Sequence, residues 1–334
     1  MSTISLGDMA QQFTSLRNGN AIKTELFQLT NSLSTGQVSD LTQSLRGETT
    51  RFSGLQYSLT QLDGYRQVAS ETQQTLANTQ IILGKVDSTR SAIAERLLLV
   101  SDSSTTAQID EAARASRSGF QEIVSTLNTR IADRAFMGGN RVSSDPLAAP
   151  DAMMADIRTA IGASVDPATI GAIVDDWFND PAGGFASSGY LGDTGAPTKR
   201  QVAENTSISV DARADDPAIK QVLQGAVLAT LAGNLPGLDR ESKIALLQDS
   251  ASQLYGAASG LVAVQARVGF AEEGATRALA ETTAQQTSLR LVENDLALAD
   301  PFETATRLQA TQQQLETFFS LTARMSQLSL LRFI

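Results

Sequence analysis

The acidic pairs Asp175-Asp176 and Asp215-Asp216 are the groups in this chain best suited to hold a hard cation, which prefers carboxylate oxygens. No EF-hand spacing surrounds either pair, so they read as helix caps or solvated loop carboxylates. Met137-Gly138-Gly139-Asn140 could cradle a phosphate only after a strand and before a Gly-Lys-Ser/Thr close. Neither is present, so it reads as a helix C-cap and turn, and Gly183-Gly184 reads likewise. Trp177-Phe178 could form a ligand platform but reads better as the anchor of a small core. The chain has no His and no Cys. That removes the Ser-His-Asp triad, the Cys nucleophile, the thiol redox pair and the Cys/His zinc site. No catalytic residue, cofactor site or metal site is assigned, and the expectation is a protein that is not an enzyme.

Charge narrows the partners. With 26 Lys and Arg against 36 Asp and Glu, the net charge is -10. Binding a phosphate backbone needs clustered cations, and the densest basic spot is only Lys199-Arg200. Nucleic acid and membranes are therefore not expected partners. No run approaches the ~18 apolar residues of a membrane helix. The opening MSTISLGDMAQQFTSL has neither a basic nor an apolar region of a cleaved signal peptide. This fits the cytoplasm, or export by a route that reads no cleaved signal.

The elements behind these residues are mostly helical. Apolar residues recur at 3/4 spacing through Leu6, Met9, Phe13 and Leu16, then Ile22, Leu26, Leu29 and Leu33, with Gly36 as a C-cap. Thr35 to Glu48 reads as a linker. A long helix is expected from about Thr50 to Val100, broken at Ser101-Asp102-Ser103-Ser104. A further helix is expected from about Thr106 to Ala135, with Ile109, Phe120, Ile123, Leu127 and Ile131 on one face, folding back on the first as a hairpin. Between Arg141 and Arg240 lie seven of the eight prolines and ten of the 24 glycines. That composition reads as a compact insertion with helices over 152–161 and 167–178, and with Ser207-Ile208-Ser209-Val210 as strand. Asp216 caps a helix beginning at Pro217 and running to about Ala232. Helix resumes at Asp239 and reaches about Ala299, where Asp300-Pro301 forces a kink or restart. The final arm carries Phe302, Leu308, Leu315, Phe318, Leu321, Met325, Leu328 and Leu331.

The predicted fold is mainly α: a long antiparallel helical rod or coiled coil of paired N- and C-terminal segments, with a small mixed α/β insertion. Its expected domains are 1–33 with 300–334, 34–140 with 240–299, and 141–239. Chain ends ordinarily fray into solvent and are polar. Here both are apolar, down to Leu330-Leu331-Arg332-Phe333-Ile334, so they ask for a partner. The candidate polymer interface is Leu6, Met9, Phe13, Leu16, Ile22, Leu26, Leu29, Leu308, Leu315, Phe318, Leu321, Met325, Leu328 and Leu331. Isolated helices of this kind are marginal in water, so both arms are expected to order on assembly.

These residues carry a resemblance. Ala266-Arg267-Val268-Gly269, Ala299-Asp300-Pro301-Phe302-Glu303-Thr304-Ala305 and Ser326-Gln327-Leu328-Ser329-Leu330-Leu331 resemble, in order, C-terminal stretches of the bacterial flagellin superfamily. Leu127-Asn128-Thr129-Arg130 with Ala135-Phe136-Met137-Gly138-Gly139, and Ser34-Thr35-Gly36, resemble its N-terminal half. Within the superfamily the chain is most similar to the hook–filament junction, or hook-associated, members. The resemblance covers about 1–140 and 240–334; Thr42 to Phe52 departs from the family's pattern. It implies a secreted structural subunit of the flagellum, exported by a type III route without a cleaved signal. It implies as partners a ring of like subunits, another hook-associated protein on the hook side, flagellin on the filament side, and a cytosolic export chaperone at the C-terminal arm. A filament flagellin, a soluble signalling coiled coil and an enzyme housed in 141–239 stay open as other readings.

Overall fold

The computed structural model describes residues 6–40 and 49–331, and the side chains at 6–8, 11–12, 49 and 326–331 are also left aside. The described chain is mainly helical: α1 (Leu6–Thr35), α2 (Thr49–Leu98), α3 (Thr106–Leu127), α4 (Pro150–Ile161), α5 (Pro167–Asn179), α6 (Pro217–Asn234), α7 (Arg240–Ala297) and α8 (Pro301–Leu331). Strands β1 (Arg130–Ile131) and β2 (Arg134–Ala135) form one small hairpin, and β3 (Thr198–Ala203) and β4 (Thr206–Val210) form another. Two compact units result, one from the chain ends up to Asp63 and from Ala284, the other over Gly64–Thr283. The 141–239 segment lies inside the second unit.

In the Gly64–Thr283 unit, α2 and α7 run antiparallel. Gln80 Nε2 donates to Gln265 O at 2.7 Å, and Arg90 Nη1 to Leu254 O at 2.9 Å. Helix α3 returns along α2, so closely at Gly119 that a Cβ there would lie 2.5 Å from Ile93 Cδ1. Thr105 and Gln108 start α3 with a reciprocal capping box. Helix α6 is apolar nearly all round, and accordingly Val222 to Ala232 is buried throughout, together with Ala218 and Ile219; only Lys220 and Gln221 reach solvent in that span. Small residues let its neighbours approach: Gly225 faces Leu254, Gly233 faces Ala113, and Ala218 faces Gly260. Ser250 Oγ donates to Gly225 O at 2.6 Å across that contact. The insertion contributes its own aromatic cluster, in which Trp177 and Phe178 meet edge to face at 4.7 Å and Phe185 packs beside both.

Most expected elements are present, with one helix boundary overrun and three strands, β1, β2 and β3, not expected from the sequence. The helix expected to reach Ala135 stops at Leu127, and Ile131 lies exposed in the small hairpin. Asn128 ends it: its side chain donates to Leu147 O at 2.9 Å and accepts from Leu147 N at 2.8 Å, fixing the chain in a turn. The turn itself places Ala132 and Asp133 at positive φ. The expected strand at Ser207–Val210 pairs with Thr198–Ala203, a strand that alternation in the sequence does not signal.

Candidate assembly interface

The chain-end unit is built on α1 and α8, which pack against each other antiparallel. The register is set at three points. Gln37 and Leu298 form an antiparallel bridge, with Val38 N donating to Ala297 O at 2.9 Å and Ala299 N to Gly36 O at 3.0 Å. Glu25 pairs with Arg307 at 3.6 Å. Gly19 lies against Phe318, whose Cε1 would be 2.8 Å from a Cβ on that glycine.

The break that makes the bridge comes from local chemistry on both sides. Gly36 leaves α1 with φ +72°, a conformation that costs a Cβ-bearing residue free energy, and its N–H donates to Ser32 O at 2.9 Å. Ser39 then folds back on the helix end: its N–H donates to Ser32 Oγ at 3.0 Å and its hydroxyl to Gln28 O at 2.9 Å. Opposite, Asp300 accepts the N–H groups of Phe302 at 2.8 Å and Glu303 at 3.1 Å, while Pro301 takes the first helical position of α8. The expected restart at Asp300-Pro301 is thus a capped helix start.

The structure sorts the sequence's interface residues into two sets. Ile22 is buried, and Leu26, Leu29, Leu308, Leu315 and Phe318 are half-buried along α1 and α8. Met9, Phe13, Leu16, Leu321 and Met325 are exposed, Phe13 at 73%. The side chains of Leu6, Leu328 and Leu331, the 41–48 part of the linker and the ending 332–334 lie outside the described residues. Sequence reasoning missed Thr304 and Thr311, which are buried and alternate with the half-buried Leu308, Leu315 and Phe318 at 4/3 spacing. Their polar type hid them. Thr311 can be buried because its hydroxyl donates to Arg307 O at 2.9 Å. Phe27 and Phe319 are exposed too, with Lys23 Nζ 5.6 Å from the Phe319 ring centre.

The candidate chemistry groups are spoken for by their surroundings. Asp175 and Asp176 lie within α5, rather than in a loop or at a cap as expected, and Asp175 accepts from Asn179 Nδ2 at 2.8 Å and Gln224 Nε2 at 3.1 Å. Asp216 caps α6 and pairs with Arg267, as the helix-cap reading expects. Asp215 pairs with Arg213 at 3.1 Å, and burial pushes its carboxyl above the usual range. Trp177 and Phe178 are core residues, and the indole N–H donates to Asp156 at 3.1 Å. Gly138-Gly139 forms a turn distant from any helix end, with Asp193 N donating to Gly138 O at 2.9 Å. Gly183-Gly184 follows α5, where a Cβ on Gly184 would overlap the Trp177 indole. Among the described residues no group of three or more acidic side chains is placed to hold a metal ion, and no helix is long and apolar enough to cross a membrane.

Comparison with known proteins completes the description. Residues 252–334 match the model of the bacterial flagellin C-terminal helical region. The resemblance carried by Ala266–Gly269 and Ala299–Ala305 falls within that span and is borne out there. No curated protein matches the chain in sequence. In three dimensions the chain is similar to a structure described as a flagellar hook-associated protein from Vibrio parahaemolyticus. The TM-score is 0.51 at 9% identity, covering 75% of this chain and 99% of that one, and at that identity the likeness is one of fold.

Proposed function

We propose that this chain, whose residues 252–334 are a flagellin C-terminal helical region, is a structural subunit of the bacterial flagellum that joins hook to filament. One observation carries the reading. The α1–α8 pair buries Ile22 and half-buries Phe318 yet leaves Met9, Phe13, Leu16, Leu321 and Met325 in solvent on helices from both chain ends. A monomer gains nothing from such residues, whereas a polymer covers them with its neighbours. Large side chains stabilise by about 1.5–3 kcal/mol each when fully buried, which offsets the ordering of the arms.

On this reading the chain acts outside the cell, leaves by the flagellar type III route, and meets like subunits in a ring. A hook-associated protein lies on one side and flagellin on the other, and a cytosolic chaperone covers the C-terminal arm before export. The fold it shares with a protein described as hook-associated supports the junction over the filament. The flagellin match over 252–334 favours a second reading as the filament subunit itself. Deleting the gene in its motile host separates them. Hooks without filaments, with flagellin shed as monomer, support the junction. An intact filament sinks it, and a protein counted in thousands per filament makes it the filament subunit.

A further inference from the structure

A cleft of about 250 Å³ opens in the Gly64–Thr283 unit between α2, the β1–β2 hairpin and the β3–β4 hairpin. Arg134 and Arg200 line it, and no acidic residue does. That is unusual in a chain of net charge -10. The contrast within the molecule sharpens it. The cleft near the end of α6 is also basic, but each of its cations already has an acid: Arg114 with Glu111, Arg117 with Asp151, Lys243 with Asp110. Neither Arg134 nor Arg200 has an ion pair or side-chain hydrogen bond among the described residues.

The other polar groups of the rim are already committed. Thr198 donates to the Asn140 side chain, whose amide donates to Asp193 at 2.8 Å, and Thr75 donates to Glu71 O at 2.7 Å. Gly139, at φ +64°, holds the rim close to Arg213. The free donors are therefore the two guanidinium groups. The remaining wall is apolar: Phe136, Val142, Val210 and Ala212. Cations above an apolar wall suit a carboxylate on an aliphatic stem. Arginine meets a carboxylate with two parallel hydrogen bonds, and the methylenes of the stem cover the wall.

We propose that this cleft is a carboxylate site that takes a glutamate side chain from a second copy of this chain. The site itself follows from the cleft alone; its supply by a second copy rests on the assembly reading above. The full-length chain is titrated with N-acetylglutamate methylamide while backbone amide shifts are followed, with the glutamine analogue as a neutral control. Saturable shifts are expected at Ala135, Val142 and Val210 with the acid and none with the amide. Arg134→Gln/Arg200→Gln should weaken the acid by about tenfold or more, with amide shifts elsewhere unchanged. Equal response to both probes, or undiminished binding in the double variant, overturns the site whatever the chain's role in the cell. Sedimentation at high protein and low salt then tests the source. Weaker self-association of the double variant supports a second copy. A wild type that stays monomeric, or that associates no better than the variant, overturns it in favour of a free carboxylate.

Discussion

Gly19 and Phe318 meet so closely that a Cβ at Gly19 would lie 2.8 Å from Cε1 of the ring. Glycine in mid-helix costs about 1 kcal/mol relative to alanine, and this approach gives a physical reason for it in α1. Gly19→Val must push the ring off its seat, which overpacks the α1–α8 contact at a cost of about 1–3 kcal/mol. Amide exchange along α8 checks it: protection around 311–318 should fall in the variant. Unchanged protection would mean that the contact does not hold the arms together.

The bridge between Gln37 and Leu298 stands where two caps coincide. Asp300→Ala leaves the N–H groups of Phe302 and Glu303 without their acceptor, at a cost of about 1 kcal/mol. Gly36→Ala forces a Cβ into a left-handed conformation at φ +72° and should cost a similar amount, ~1 kcal/mol. Because both act on one junction, the double variant should lose less or more than the sum of the singles. Thermal melts of the four proteins measure that coupling, and strict additivity would show that the two breaks are independent.

Phe13 separates folding from assembly. Its side chain is 73% exposed, so Phe13→Ser should change the stability of the isolated chain by no more than about 0.5 kcal/mol. The same substitution, alone or with Leu321→Ser, should block incorporation into the flagellum. Complementation of a deletion strain, scored by motility and by electron microscopy of hooks, is the measurement. Normal incorporation of the double variant would remove these residues from the interface.

How much of this was legible beforehand depends on whether the signal was local. Asp166-Pro167, Asp216-Pro217 and Asp300-Pro301 each mark a helix start, because the acid accepts the first free N–H groups and proline fits the first turn. The end of α3 was not legible. Ile131 continues the apolar rhythm, and the residue that overrides it, Asn128, does so through Leu147, 19 positions away. The interface was legible as a set but not as two faces. Nothing in the sequence says that Phe318 turns toward Gly19 while Leu321 turns to solvent, since helix rotation is fixed by packing. Thr304 and Thr311 could have been found only by admitting threonine to the apolar stripe.

Acid should weaken the Gly64–Thr283 unit in part through carboxylates that accept backbone N–H groups. Asp166 and Asp239 start α5 and α7 by accepting Thr169 N at 2.9 Å and Ser242 N at 2.7 Å, and Asp193 accepts Gly195 N at 3.0 Å. Hydrogen bonds to the charged form hold all three carboxyls below the usual range: at Asp166 the Thr169 hydroxyl and N–H, at Asp239 the Ser242 N–H and hydroxyl, at Asp193 chiefly the Gly195 N–H. A carboxyl lowered by folding contributes stability that is complete above its unfolded pKa, about 4, and is lost as pH falls through the folded value. Asp215 acts with the opposite sign. Burial raises its pKa against the pull of Arg213 and Lys220, so its protonation favours the folded state at a higher pH than the caps titrate. The expected melting profile is therefore flat or slightly rising as pH falls toward about 4, then falling below it. Asp239→Asn keeps a competent cap without a titrating charge and should make the fall shallower. Asp215→Asn should remove the rise and leave the fall in place. A melting temperature that declines evenly from neutral pH in all three proteins would show that these carboxyls do not govern acid stability.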